Sequence, residues 1–230
     1  MEIKSTHMKD IVAIPDILSL LNMSFGIFAI ISAINNHFDL SSIFIIVALI
    51  FDSLDGHVAR KLKREDKYGF GKNIDSLSDI VSFGVAPSVF LYTIGNTIPN
   101  SPSILILIVS LLITICGVLR LSRYNILSGY VSNKEFIGLP IPGIAILLSL
   151  FYLSDLFNIY LVLISMILSS FLMISNVKYE KIQDLKIIPF AFILIILTII
   201  IFYTSYINIP GIILLLLVIC YLLISLFKNY

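Results

Sequence analysis

Residues 187–203 read IIPFAFILIILTIIIFY and residues 207–227 read INIPGIILLLLVICYLLISLF. No Asp, Glu, Lys or Arg interrupts either run. A helix of a soluble protein keeps its apolar residues to one face, whereas these runs are apolar all round. At 1.5 Å per residue, such a run reaches across roughly 30 Å of hydrocarbon. The same texture extends back through the chain, of which 59% is hydrophobic and 13% charged, against roughly 25% charge in a soluble domain. The fold class is therefore all-α, a polytopic transmembrane helical bundle. Its candidate spans lie at about 11–34, 40–61, 75–95, 103–125, 137–154, 157–175, 187–205 and 208–227. The fifth carries Pro140, Pro142 and Gly143.

Charge placement orients these eight spans. With the N-terminus in the cytoplasm and each span reversing the chain, the inside segments are 1–10, 60–74, 120–136, 176–186 and 228–230. All 15 Lys and Arg fall there, and the outside turns hold only Asp39 and Asp155. That is the positive-inside arrangement, and it places both termini in the cytoplasm. The net charge is +1, and no nucleic-acid partner is expected. The basic segment beginning at Arg60 reads as a solvated inside loop in preference to an amphipathic surface stretch. Cys116 and Cys220 fall inside apolar spans, offer no disulfide or metal-ligand spacing, and read as small buried hydrophobes. The first run is too long for a cleavable signal peptide and lacks a small-residue cleavage site. Ser5-Thr6-His7-Met8 admits two readings, a native terminus or a cloning scar before a native Met8, so residues 1–8 carry none of the argument.

Proline marks several span starts. Pro15, Pro189 and Pro210 suit first helical turns, and Ser101-Pro102 reads as a cap followed by the first helical position. Asn35-Asn36-His37 makes a short polar turn.

Polar residues gather at one boundary. The second span ends Phe51-Asp52-Ser53-Leu54-Asp55-Gly56-His57-Val58-Ala59-Arg60, and the third begins Asn73-Ile74-Asp75-Ser76-Leu77-Ser78-Asp79. Spacings of three and four put Asp52 with Asp55, and Asp75 with Asp79, on shared helix faces. Two consecutive helices thus bring carboxylate pairs together beside the basic loop. Four membrane carboxylates need positive charge among them, and Arg60 alone is insufficient. Hard oxygen ligands select a divalent cation, Mg²⁺, Mn²⁺ or Ca²⁺, as one or two ions, with Mg²⁺ or Mn²⁺ the expected cofactor. Mg²⁺ combines few carboxylates with substrate phosphates, which points to a phosphate or pyrophosphate substrate. Gly56 opens the backbone to a bulky ligand, and Arg60 can reach a phosphate oxygen or pair with an aspartate. His57, beside the aspartates, reads as a side chain facing solvent, and His37 as inert.

These residues resemble the signature of the CDP-alcohol phosphatidyltransferases, D-x2-D-G-x2-A-R-x8-G-x3-D-x3-D. Asp52, Asp55, Gly56, Ala59 and Arg60 match its first half, and Gly71, Asp75 and Asp79 its second. Ten residues separate Arg60 from Gly71, a two-residue insertion. Counting eight instead reaches Gly69 but puts Asn73 and Leu77 at the aspartate positions. Ser82-Phe83-Gly84-Val85-Ala86-Pro87, Arg120-Leu121-Ser122-Arg123-Tyr124-Asn125, Phe136-Ile137-Gly138-Leu139-Pro140-Ile141-Pro142 and Leu172-Met173-Ile174-Ser175 with Lys178-Tyr179 resemble segments of the phosphatidylserine synthase branch.

The resemblance implies a core over 11–180, after a cytoplasmic segment 1–10 and before two additional helices in 181–230. It implies transfer of a phosphatidyl or archaetidyl group from CDP-diacylglycerol or CDP-archaeol to L-serine, with CMP leaving, by a homodimer in the cell membrane whose site faces the cytoplasm. Asp52, Asp55 and Asp75 take metal-binding roles; Asp79 shares in metal binding or serves as general base. Asn22, Asp52, Gly56, Ala59, Arg60, Gly71 and Asp75 would line the CDP site, with a helix–helix hydrogen bond the competing role for Asn22. A serine carboxylate calls for a cation: Arg120 or Arg123, with Ser82, Tyr124 and Asn125 as further acceptor candidates. Two alternatives are a relative using glycerol 3-phosphate or inositol phosphate, and a divalent-cation transporter. The transporter would place its carboxylates near the bilayer centre.

Overall fold

The structure is a computed structural model describing residues 7–62, 66, 69–127, 135–180, 187–204 and 207–228. Lys4, Lys63, Arg64, Lys67, Lys134, Lys181 and Lys186 lie outside the described residues, and with them most of the basic loop after Arg60.

One turn at Met8–Ile11 (α1) leads into Ile14–Ile34 (α2). Pro15 sits in the first turn of α2, and Asp16 Oδ2 accepts the Ala13 N–H at 2.8 Å. The buried face of α2 carries Asp16, Ser19, Asn22, Gly26, Ala29 and Ala33, while Ile17, Leu20, Leu21, Ile27, Phe28 and Ile31 face outward. In water this arrangement would be inside out. In hydrocarbon it is the stable one: lipid solvates Leu and Ile, and helix contacts fall to small and polar residues.

A turn with Asn36 at φ 62° reverses the chain into Phe38–Lys61 (α3), packed along α2. Phe25 stacks on Phe51 with centroids 5.2 Å apart, and the Ser41 hydroxyl donates to the Ala29 carbonyl at 2.8 Å. The third apolar run is a continuous 28-residue helix, Phe70–Thr97, in three parts. Phe70–Asp79 (α4) and Ala86–Thr97 (α5) flank a π-helical segment at Ile80–Val85. The π segment touches α2 backbone to backbone: a Cβ on Gly26 would lie 2.7 Å from Ser82 Cα.

Ser103–Leu127 (α6), Ile141–Leu153 (α7), Ile159–Ile174 (α8), Ile187–Thr204 (α9) and Ile209–Lys228 (α10) follow. The core where α3, α5, α6, α7 and α8 meet contains Ile45, Phe83, Phe90, Ile113, Ile144 and Leu148. Asn208 joins α9 to α10: its Nδ2 donates to the carbonyls of Leu153 (2.7 Å) and Thr198 (2.8 Å), and its Oδ1 accepts from Gly211 N–H at 3.0 Å.

By length and composition, Ile14–Ile34, Phe38–Lys61, Phe70–Thr97 and Ser103–Leu127 can cross a membrane. The other four apolar helices are shorter, at 10–17 residues with described side chains. The chain is an integral membrane protein.

Two details depart from the sequence reading. The chain is not purely helical: Glu135–Ile137 (β1) pairs antiparallel with Lys178–Glu180 (β2), with Phe136 opposite Tyr179. Gly138, at φ 77°, lays this segment along the end of α8, where Gly138 N–H reaches the Val177 carbonyl at 2.8 Å and Leu139 N–H the Leu172 carbonyl at 3.1 Å. Among the cysteines, Cys116 is buried as expected, but Cys220 is exposed on the outer side of α10, where hydrocarbon tolerates it.

Candidate active site at the end of α3 and the start of α4

Helices α3 and α4 both pack against α2, and carboxylates from each meet beside it. One carboxylate oxygen from each of Asp52, Asp55 and Asp75 lies within 4.8 Å of the other two. Asp79, one turn beyond Asp75, has its carboxyl within hydrogen-bond reach of Asp52. Oxygens at that separation match the span of two bonds of about 2.0–2.6 Å to a common hard cation. Clustered carboxylates that lack such a charge repel one another. The donor set therefore fits a divalent metal ion.

Helix α2 closes the third side. Ser19 Oγ donates to Asp55 Oδ2 at 2.5 Å, and Asn22 Nδ2 donates to Asp79 Oδ1 at 3.1 Å. Of the two roles expected for Asn22, the helix–helix bond is formed. Its own Oδ1 stays buried with no hydrogen-bond partner among the described residues. Ser82 is fully buried, and its hydroxyl donates to the Asn22 carbonyl at 2.9 Å, so it locks α2 to the π segment.

Gly71, Asp75 and Asp79 share one face of α4 and are buried or half-buried, whereas Asn73 and Leu77, the positions reached by counting through Gly69, are exposed. Gly69 instead starts the helix from a left-handed conformation, φ 70°. Gly56 and Ala59 are half-buried on α3. Arg60 is exposed, and its guanidinium folds back toward Gly56, where a Cβ would meet its Nη1 at 3.4 Å. His57 faces outward as expected.

Among the described residues, the cation in electrostatic reach of Asp52, Asp75 and Asp79 is Arg120 of α6. It is only 5% exposed, and its Nε has no hydrogen-bond partner among the described residues. Its guanidinium carbon lies 5.2 Å from the Tyr124 ring centroid and 5.6 Å from that of Phe136. Leu119, Arg120, Arg123 and Ile174 line a pocket of about 190 Å³.

Arg123 is engaged differently. Its Nη1 donates to the Ile174 carbonyl at 2.9 Å, and its Nη2 to the carbonyls of Met173 (2.9 Å), Ser175 (2.8 Å) and Ile137 (3.2 Å). A guanidinium at the C-terminus of α8 satisfies orphan carbonyls and opposes the negative end of the helix dipole. Asn125 Nδ2 donates to Ser76 Oγ at 2.8 Å, and Lys72 Nζ donates to the Asn125 carbonyl, so this end of α6 is tied to α4.

The acceptor candidates thus separate. Arg120 stands in electrostatic reach of the aspartates with Tyr124 against its guanidinium, while Arg123, Asn125 and Ser82 hold helices in place. Sequence reasoning passed over Ser19, and it read Phe136 only as part of a resembling segment with no role at the site. Ser19 had one readable signal, its position three residues after Asp16 and three before Asn22, which puts the three polar side chains on one face of α2.

A protein-family model described as CDP-alcohol phosphatidyltransferase matches residues 12–174. The chain is 44% identical over 174 residues to the archaetidylserine synthase of Methanothermobacter thermautotrophicus, covering 76% of this chain and 72% of that protein. It is 44% identical over 174 residues to the CDP-diacylglycerol–serine O-phosphatidyltransferase of Methanocaldococcus jannaschii, covering 75% and 76%. The protein of that name from Bacillus subtilis is 34% identical over 167 residues, covering 72% and 89%.

Proposed function

The chain belongs to the CDP-alcohol phosphatidyltransferase family, and from that premise we infer that it transfers the phosphatidyl or archaetidyl group of a CDP-activated lipid to L-serine, releasing CMP. The observation that carries this reading is the convergence of four aspartates with the buried Arg120, whose Nε has no hydrogen-bond partner among the described residues. Relatives that cover most of the chain and are named for serine transfer support the acceptor.

Asp52, Asp55 and Asp75 would hold Mg²⁺ or Mn²⁺, with Asp79 at the edge of the set. A bound ion supplies neutralisation of pyrophosphate charge as the P–O bond to CMP breaks. Asp79 is oriented by Asn22 and takes the proton of the serine hydroxyl as its oxygen bonds to the lipid-side phosphorus. Gly56, Ala59 and Gly71 leave room for the CDP moiety along α3 and α4. Arg60 flanks it. Arg120 receives the serine carboxylate at the pocket it lines, with Tyr124 beside it.

The same reading covers topology. Eight helices cross the membrane, with both termini and the site on the cytoplasmic face, as the placement of Lys and Arg supports. Residues 11–180 are the catalytic core, and two copies pair as a homodimer.

The test is CMP release from CDP-diacylglycerol and CDP-archaeol with Mg²⁺ or Mn²⁺. L-serine, glycerol 3-phosphate and inositol phosphate would be compared as acceptors. Serine-dependent release is expected, falling at least about 10²-fold in Asp79→Asn. Release that needs a phosphorylated acceptor would overturn the serine assignment while leaving the metal site standing.

A further inference from the structure

We propose that Phe136 is a positioning residue, whose ring, held in place by the β1–β2 pair, sets the Arg120 guanidinium in the orientation that receives the acceptor carboxylate. The proposal rests on the reading that Arg120 binds that carboxylate.

Arg120 lies almost wholly inside the protein, yet its Nε finds no hydrogen-bond partner among the described residues. What surrounds the guanidinium is aromatic. It stands 5.6 Å from the Phe136 centroid and 5.2 Å from that of Tyr124, and the two rings are 6.1 Å apart at 51°. Ring faces attract a cation without occupying its N–H groups. Such a pair can aim a planar fork at a carboxylate and leave the donors free for it.

Phe136 could not do this from a loose loop, and it is not in one. Its strand is anchored at three points. Arg123 Nη2 donates to the carbonyl of the next residue, Ile137, at 3.2 Å. Gly138 N–H bonds to the Val177 carbonyl just before β2, and Leu139 N–H to the Leu172 carbonyl in the last turn of α8. Tyr179 lies directly opposite Phe136 in the register, on the same face of the pair. Tyr179 is fully buried, and its ring packs 5.7 Å from Tyr221 of α10. Helix α10 and Tyr179 lie beyond the stretch matched by the family model, so these contacts give the C-terminal part of the chain a role in holding the site.

The experiment is a double-mutant cycle on the full-length protein, reading KM for serine, KM for CDP-lipid and kcat in Phe136→Leu, Phe136→Tyr, Arg120→Ala and Arg120→Ala/Phe136→Leu. Phe136→Leu is expected to raise the serine KM about fivefold, the order of one cation–π contact. The CDP-lipid KM should change less than about twofold and the melting temperature little; Phe136→Tyr should restore the serine KM. In the Arg120→Ala background, Phe136→Leu should add nothing, because the residue it positions is gone. An equal rise in both backgrounds, or an equal rise for serine and CDP-lipid, would overturn the positioning role and leave Arg120 as the carboxylate site. An unchanged serine KM in Arg120→Ala would overturn that site itself, and the positioning role with it.

Discussion

Two glycines with nearly the same backbone conformation hold different weight. Gly69 has φ 70° and nothing within 4 Å of where a Cβ would stand; Gly138 has φ 77° with the Met173 carbonyl oxygen 2.2 Å and Arg123 Nη2 2.5 Å from that point. A left-handed conformation alone costs a non-glycine residue about 1–2 kcal/mol, which is all that Gly69→Ala should lose. Gly138→Ala adds a clash with main chain that cannot move without dragging α8. It also ejects a guanidinium that caps four carbonyls. A loss of at least about 3 kcal/mol is expected, in the range of broken buried networks, with serine KM raised because β1 is displaced. Reversible unfolding of the two variants in mixed micelles checks this. Equal losses at the two glycines would mean that the Arg123 contacts do not anchor β1.

At the scale of elements, the helices were legible because lipid imposes a simple rule: a segment in hydrocarbon must satisfy its own backbone and shows an apolar exterior. The runs ending at Ile34, Lys61 and Thr204 therefore end within a residue of the expected 34, 61 and 205, while the first two start at Ile14 and Phe38 against the expected 11 and 40. The aspartates were legible because carboxylates in such runs are costly without a purpose. What escaped the sequence depends on contacts between elements. The β1–β2 pair is specified by Gly138 against α8, and the π segment by Gly26 against Ser82; neither has a periodicity of its own. The π segment matters because it sits directly after Asp79. Each α-helical residue turns the chain by about 100°, so the extra residue of a π turn sets where Asp75 and Asp79 face relative to α5. Deleting Val81 should restore a regular α-helix and swing α4 away from α3. Helical circular dichroism would remain, but CMP release should fall at least about 10²-fold, as misplaced catalytic groups do. Retained activity would show that the π turn does not set the register of the site.

The whole molecule is organised around an electrostatic conflict. Helices α2, α3, α4 and α6 all contribute polar or charged side chains to one cluster, in a protein whose outer surface is hydrocarbon-facing Leu, Ile and Phe. Among the described residues one buried arginine, Arg120, stands against four carboxylates, so the folded state without a cation works against its own charges. A divalent ion that binds the folded state alone stabilises it by about 2.7 kcal/mol when present at 100 times its Kd. Mn²⁺ should therefore raise the melting temperature of the chelator-treated protein, and EDTA should reverse the gain along with activity. Asp52→Asn separates this account from a general effect of divalent ions on the micelle. Replacing Asp52 removes one of the three carboxylates that converge within 4.8 Å and relieves repulsion from its neighbours. The variant should melt higher than the parent in EDTA, yet gain little from Mn²⁺ and release no CMP. Function would then be held at the expense of stability, as at other strained sites. An Asp52→Asn protein that melts lower than the parent in EDTA would mean that the carboxylates are mutually satisfied without metal, through a shared proton, and the cluster would have to be read as a hydrogen-bonded hub of the bundle first and a cation site second.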